Sequence, residues 1–114
     1  MIKTGIGYDA HKLALKSKLI LGGIEIPSEF GSVGHSDGDV LIHAIVDSIL
    51  GASSMGDIGQ LFSSSNDKWK DANSMIFLKH TVKKVGSAGF KINHIDSVII
   101  LQQPNISSLS LIHI

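Results

Sequence analysis

The chain has 114 residues, 43% of them hydrophobic and 18% charged, which is enough for one core and too few for two. Ten lysines balance ten acids and arginine is absent, so no net field draws nucleic acid or an acidic membrane, and a phosphate must be held by metal, lysine or backbone N–H groups. With no cysteine, disulfides, thiolate metal sites and cysteine nucleophiles are excluded, leaving histidine, aspartate and glutamate as metal ligands. No apolar run approaches a membrane span, and Met1 leads straight into a predicted strand without a signal segment. The expectation is a soluble, cytoplasmic protein of one domain, residues 1–114.

The first predicted strand is Ile2 to Tyr8, with Gly5 and Gly7 suited to close approach by another backbone. It ends in Asp9-Ala10-His11, where residues two apart in extended backbone project to the same face. Leu19-Ile20-Leu21 and Ile24-Glu25-Ile26 flank Gly22-Gly23, the pattern of a hairpin whose type I′ turn needs positive φ at both central positions. Pro27 closes it, and Ser28 to Gly34 reads as a loop. Ser36 and Asp39 then have the form of a capping box, predicting a helix from about Asp37 that Gly51 stops. Val40, Leu41, Ala44, Ile45, Ser48 and Ile49 give this helix one apolar stripe, while Asp39, His43 and Asp47 give it a polar one.

Ala52 to Asn66 is rich in glycine and serine and reads as a surface loop or a flap anchored by Trp69, Lys68 and Lys70. Asn73 or Asp71 can cap a second helix to about Val85, with Met75, Leu78, Val82 and Val85 facing inward and Lys79, Lys83 and Lys84 facing water. His80 on it has no acidic neighbour at ligand spacing and reads as an ordinary surface residue. Ile92 to Leu101 is the last predicted strand, and the run Val98-Ile99-Ile100-Leu101 predicts burial on both faces. Ile106 to Ile114 fits neither an amphipathic helix nor a tidy strand.

Asp9, His11 and His43 together offer what a catalytic zinc needs: three N/O ligands, two from a strand and one from a helix, with a fourth position open. Asp39 or Asp47, one helical turn to either side of His43, can orient its ring. The bland alternative makes the Asp39-His43-Asp47 row a solvated helix face.

GYDAHKL, ILGGIEIP, GHSDGDVLIHAIVDSILGASSMGDIGQLF and the later DANS resemble, in order and spacing, the 2-C-methyl-D-erythritol 2,4-cyclodiphosphate synthase family of the non-mevalonate isoprenoid pathway. The resemblance runs from Ile2 to about Pro104. It implies an α+β fold, a mixed four-stranded type of sheet backed by helices, assembled as a homotrimer with the sheets facing the trimer axis. It implies cyclisation of 4-diphosphocytidyl-2-C-methyl-D-erythritol 2-phosphate to the 2,4-cyclodiphosphate with release of CMP, which makes the enzyme a phosphorus–oxygen lyase.

By motif match, Asp9, His11 and His43 hold Zn²⁺, with Mg²⁺ or Mn²⁺ on the diphosphate, and Asp39 and Asp47 stand behind the ligands. His35 stabilises the transition state and, with Ser36, holds the attacking phosphate. Asp57, Ile58, Gly59, Phe62, Ser63, Ser64, Ser65 and Asn66 match segments around the substrate, which Asp9 and His11 also contact. Leu101, Gln102, Gln103, Pro104 and Asn105 match the segment that reads the nucleotide. The resemblance places the protein in the bacterial cytoplasm, with the plastid stroma as the alternative.

The chain departs from the family in three places. Ser63 to Asn66 carry no carboxylate where the family usually has two, and Asn105 stands where lysine is common. Ser107 to Ile114 leave the family pattern, and the family's last helix, final strand and T-T-x-E segment are absent, so the chain reads as C-terminally incomplete. The alternatives to the synthase are a non-catalytic zinc-binding trimer and, less favoured, a metal-dependent phosphohydrolase.

Overall fold

The computed structural model describes residues 1–33, 37–63 and 72–101. Its organising element is the helix α1, Val40–Ala52, which is buried along two of its sides. Leu41, Ile45 and Ile49 pack with Leu19, Leu21, Ile26 and Val85. Ile42, Val46 and Leu50, one turn apart, pack with Phe62 and Phe77. The sequence predicts the first stripe; the second follows from the same 3.6-residue period once the hairpin lies on one side and Phe62 and Phe77 on the other.

Four short strands precede α1: β1 (Leu13–Leu15), β2 (Leu19–Leu21), β3 (Ile24–Ile26) and β4 (Phe30–Ser32). Among the described residues they make two separate antiparallel pairs, β1 with β4 and β2 with β3. The β2–β3 turn has φ of +62° at Gly22 and +79° at Gly23, as the paired glycines predict.

Asp39 welds this hairpin to the helix. It is fully buried and is the N-cap of α1, accepting from Ile42 N at 3.1 Å, Gly22 N at 3.1 Å and Gly23 N at 2.7 Å. The helix therefore starts at Val40 on an Asp39 cap rather than at Asp37. Ser36, the other half of the predicted capping box, lies outside the described residues, as do the flap anchors Lys68, Trp69 and Lys70.

A one-turn helix α2 (Ile58–Leu61) is capped by Asp57, and α3 (Ser74–Ser87) by Asn73. The face that α3 buries is Ser74, Phe77, Thr81 and Val85. Val82, predicted to face inward, is 43% exposed, because α3 turns the larger Phe77 toward α1 and Phe62. Ridge spacing alone allowed either face.

The segments predicted as the first and last strands behave differently. Residues 2–8 and 92–101 form no strand ladder among the described residues. The first crosses α1 so closely that a Cβ on Gly5 would strike the Ser48 carbonyl and one on Gly7 the Ala44 carbonyl. Both segments wall a cleft of about 620 Å³ whose floor includes Ala44 and Ser48. Val98 and Ile100 are 86% and 90% exposed, whereas Ile99 and Leu101 pack against the core, so the predicted burial on both faces gives way to alternation. A ladder needs a neighbouring backbone at about 4.8 Å. These segments instead border a cleft.

Candidate metal centre

Asp9 and His11 lie at the end of the first segment, and His43 lies on α1, one turn past the Asp39 cap to whose carbonyl its own N–H bonds. Crossing α1 at Gly7 and Ala44 brings the two elements together. Asp9 Oδ2 is 3.2 Å from His11 Nδ1 and 3.3 Å from His43 Nδ1, and one ligand atom from each of the three residues lies within 4.8 Å of the other two. The imidazoles meet edge to face, 5.3 Å between centroids.

Although the distances are short, Asp9 Oδ2 and His11 Nδ1 are buried with no hydrogen-bond partner. Buried polar atoms are normally paired, so these two unpaired atoms beside His43 ask for a ligand. The spacing fits a small divalent cation: bonds of 2.0–2.1 Å in tetrahedral arrangement place neighbouring donors about 3.3 Å apart. The donor set of two imidazoles and one carboxylate suits zinc-like metals.

The electrostatics favour a charged carboxylate. Burial pushes Asp9 up, but the imidazoles of His11 and His43 beside it outweigh that and hold Asp9 well below the usual carboxylate range. The Asp9 carboxylate raises His11 above its ordinary value, with burial opposing and Asp9, Asp37 and Asp39 adding through their charges.

Behind the ligands the structure differs from the sequence reading. Asp39 spends its carboxylate on the hairpin and the helix cap, and Asp47 accepts from Ile58 N at 2.7 Å, fastening α2 to α1. Burial pushes both carboxyls up, against the N–H groups that hold them down. The group that meets His43 Nε2 is Ser74 Oγ, at 2.7 Å from the first turn of α3. Ser74 in turn bonds Asp37 through its N–H at 2.7 Å and through its hydroxyl.

Neither Ser74 nor Asp37 figures in the predicted site, because they lie 37 positions apart. The signal available was that each sits inside one of the motifs, DANS and HSDGD.

Of the remaining predicted residues, Asp57 caps α2 by accepting from Gln60 N at 2.8 Å, with Ile58 and Gly59 following it. Phe62 is a core residue, 6% exposed and stacked on Phe77 at 4.5 Å. Ser63 is half-buried, and Leu101 lines the cleft. His80 is exposed, edge-on to Phe62 at 5.5 Å. His35, Ser36, Ser64, Ser65, Asn66, Gln102, Gln103, Pro104 and Asn105 lie outside the described residues.

A family model for YgbB matches residues 2–111. The chain belongs to the YgbB family. Among curated YgbB-like relatives, the 2-C-methyl-D-erythritol 2,4-cyclodiphosphate synthase of Clostridium acetobutylicum is 54% identical over 106 residues, which are 93% of this chain and 68% of that protein. The synthase of Treponema denticola is 51% identical over 105 residues, 92% of this chain and 65% of its own length. A solved structure described as IspF of Plasmodium falciparum in complex with CDP superposes with a TM-score of 0.77 at 38% identity, covering 94% of this chain and 65% of the other. The α+β arrangement of small antiparallel sheets and helices is thus that of solved YgbB-family relatives, and the chain spans about two thirds of the relatives' length.

Proposed function

We propose that this YgbB-family chain is a catalytic domain that cyclises 4-diphosphocytidyl-2-C-methyl-D-erythritol 2-phosphate to 2-C-methyl-D-erythritol 2,4-cyclodiphosphate, releasing CMP. The observation that carries this reading is the convergence of Asp9, His11 and His43 in a chain about half identical to synthases of that name.

In the reaction an oxygen of the 2-phosphate attacks the β-phosphorus of the diphosphate, and the bond from that phosphorus to the bridging oxygen breaks, with CMP carrying the electron pair away. The nucleophile is already ionised and tethered to its target, so no side chain has to remove a proton; orientation and charge neutralisation carry the rate. A bound Zn²⁺ supplies positive charge that polarises a diphosphate oxygen, with Mg²⁺ or Mn²⁺ as the second ion. Asp9, His11 and His43 hold that zinc. Asp9 is suited to it because its environment keeps the carboxyl ionised.

By their place in the motifs, His35 and Ser36 hold the attacking phosphate, and Asp57 to Gly59 with Ser63 to Asn66 meet the middle of the substrate. Leu101 to Asn105 meet the nucleotide. Assembly as a homotrimer, with larger four-stranded sheets turned to its axis, is supported by the apolar side chains that single subunits expose. Ile2, Ile6, Tyr8, Val98 and Ile100 are each at least 85% exposed. A cytoplasmic or plastid location belongs to the same reading.

The test is release of CMP from the authentic substrate by the zinc-loaded chain in Mg²⁺. His43→Ala is expected to lose both bound zinc and turnover. A folded, zinc-loaded chain that releases no CMP overturns the synthase reading, and unchanged zinc content in His43→Ala overturns the ligand assignment.

A further inference from the structure

The neighbours of His43 permit one deduction about which of its nitrogens takes the metal. We propose that Ser74 and Asp37 are positioning residues that fix the His43 ring with its proton on Nε2, so that Nδ1 presents the lone pair to the cation. The inference rests on the metal reading above and concerns residues that reading does not use.

The argument is a count of protons. Ser74 Oγ has one hydrogen to donate and two lone pairs, whereas an ionised carboxylate only accepts. Ser74 Oγ bonds Asp37 Oδ1, and its hydrogen must occupy that bond. What remains at Ser74 Oγ for His43 Nε2, 2.7 Å away, is a lone pair, so Nε2 carries the hydrogen. A neutral imidazole protonated at Nε2 has its lone pair on Nδ1, the atom 3.3 Å from Asp9 Oδ2.

The pieces are placed firmly enough to enforce this. Ser74 is fully buried and is the first residue of α3. Its backbone N–H donates to Asp37 Oδ2 at 2.7 Å, which fixes where the side chain leaves the helix. Asp37 Oδ1 also accepts from Asp39 N at 3.0 Å, which ties the carboxylate to the start of α1, the helix that carries His43. A closed circuit therefore runs from α1 through Asp37 and Ser74 back to α1 at His43. It resists both ring rotation about χ2 and exchange of the two nitrogens. Hydrogen-bonded partners of ligating histidines characteristically set tautomer and basicity in this manner, and their loss costs metal affinity.

Two measurements on the whole chain test it. Long-range ¹H–¹⁵N spectra of zinc-loaded, histidine-labelled protein should show His43 protonated at Nε2 and metal-bound at Nδ1. Competition against a chromophoric zinc chelator should show Ser74→Ala binding zinc roughly 10- to 100-fold more weakly than wild type. Ser74→Thr, which keeps the hydroxyl, should recover most of the difference.

Coordination of His43 through Nε2, or wild-type zinc affinity in Ser74→Ala, overturns the assignment while leaving the metal reading standing. A wild-type chain that takes up no zinc overturns the metal reading and this inference with it. The spectra need no substituted protein, so poor folding of Ser74→Ala leaves the decision to them.

Discussion

The carboxylates around α1 fall into two groups that use the same chemistry to opposite ends. Asp37, Asp39 and Asp47 each accept from the backbone: N–H groups of the hairpin, of α1, of α2 and of α3 end on them. Asp9, a few ångströms away beside His43, has a buried oxygen with no hydrogen-bond partner and two imidazole nitrogens pointed at it. The first group holds the fold, and the second is held by it. Backbone donors mark a structural carboxylate, and an unmet buried atom among convergent ligands marks a site.

That contrast can be broken most forcefully at Asp39. Asp39→Ala leaves the N–H groups of Gly22, Gly23 and Ile42 without their acceptor, and a buried group left unsatisfied costs about 1–3 kcal/mol. A loss of roughly 3–5 kcal/mol in urea unfolding is expected on the same scale. A loss below about 1 kcal/mol would show that water takes over the duty and that the weld is not structural.

A smaller effect separates the groups by pH. Asp9 is depressed, so its contribution to metal-free stability is present above its unfolded value and lost as pH falls through the folded one. His11 is raised, so its contribution is complete below its unfolded value of 6.5 and lost as pH rises through the folded one. Metal-free protein should gain most from the pair between about pH 4 and 6.5, and weaken above that window. Zinc-loaded protein should show the opposite slope there, since ligation requires neutral imidazole. Thermal melts with and without zinc read both, and parallel slopes would contradict the site.

The smallest expected change is the most telling. At pH 8 without metal, Asp9→Ala should cost less unfolding stability than Asp39→Ala, since no backbone N–H loses its acceptor. Bound zinc should fall to background in the same variant. A stability loss as large as that of Asp39→Ala would place Asp9 among the structural carboxylates.

Much of this arrangement is legible in the sequence, and what is not has a physical reason. The Gly22-Gly23 turn, the two long helices and the grouping of Asp9, His11 and His43 all follow from local rules: positive φ, helical period, and side-chain alternation joined to one motif. The inward face of α3 did not follow, since Phe77 and Val82 are both apolar and only the position of Phe62 decides between them. Asp39 looked like a companion of His43 because helical spacing ignores partners that come from another element, here a hairpin turn 16 and 17 positions away. Ser74 was invisible for the same reason at longer range. The segments 2–8 and 92–101 read as strands because β-branched alternation describes a side-chain pattern, whereas a ladder depends on a neighbour that the pattern does not name.

The bond from Asp39 to the hairpin has a further consequence for how the molecule opens. Hairpin tips ordinarily fray early, independently of the helices beneath them. Here Gly22 and Gly23 share one buried carboxylate with the first turn of α1, and Gly23 also abuts Met75 beside the start of α3. Opening the turn strands the acceptor that caps the helix, and unwinding the helix start strands the turn. The β2–β3 hairpin and the His43-bearing end of α1 therefore open together or not at all, which makes the ligand's position as durable as the fold itself.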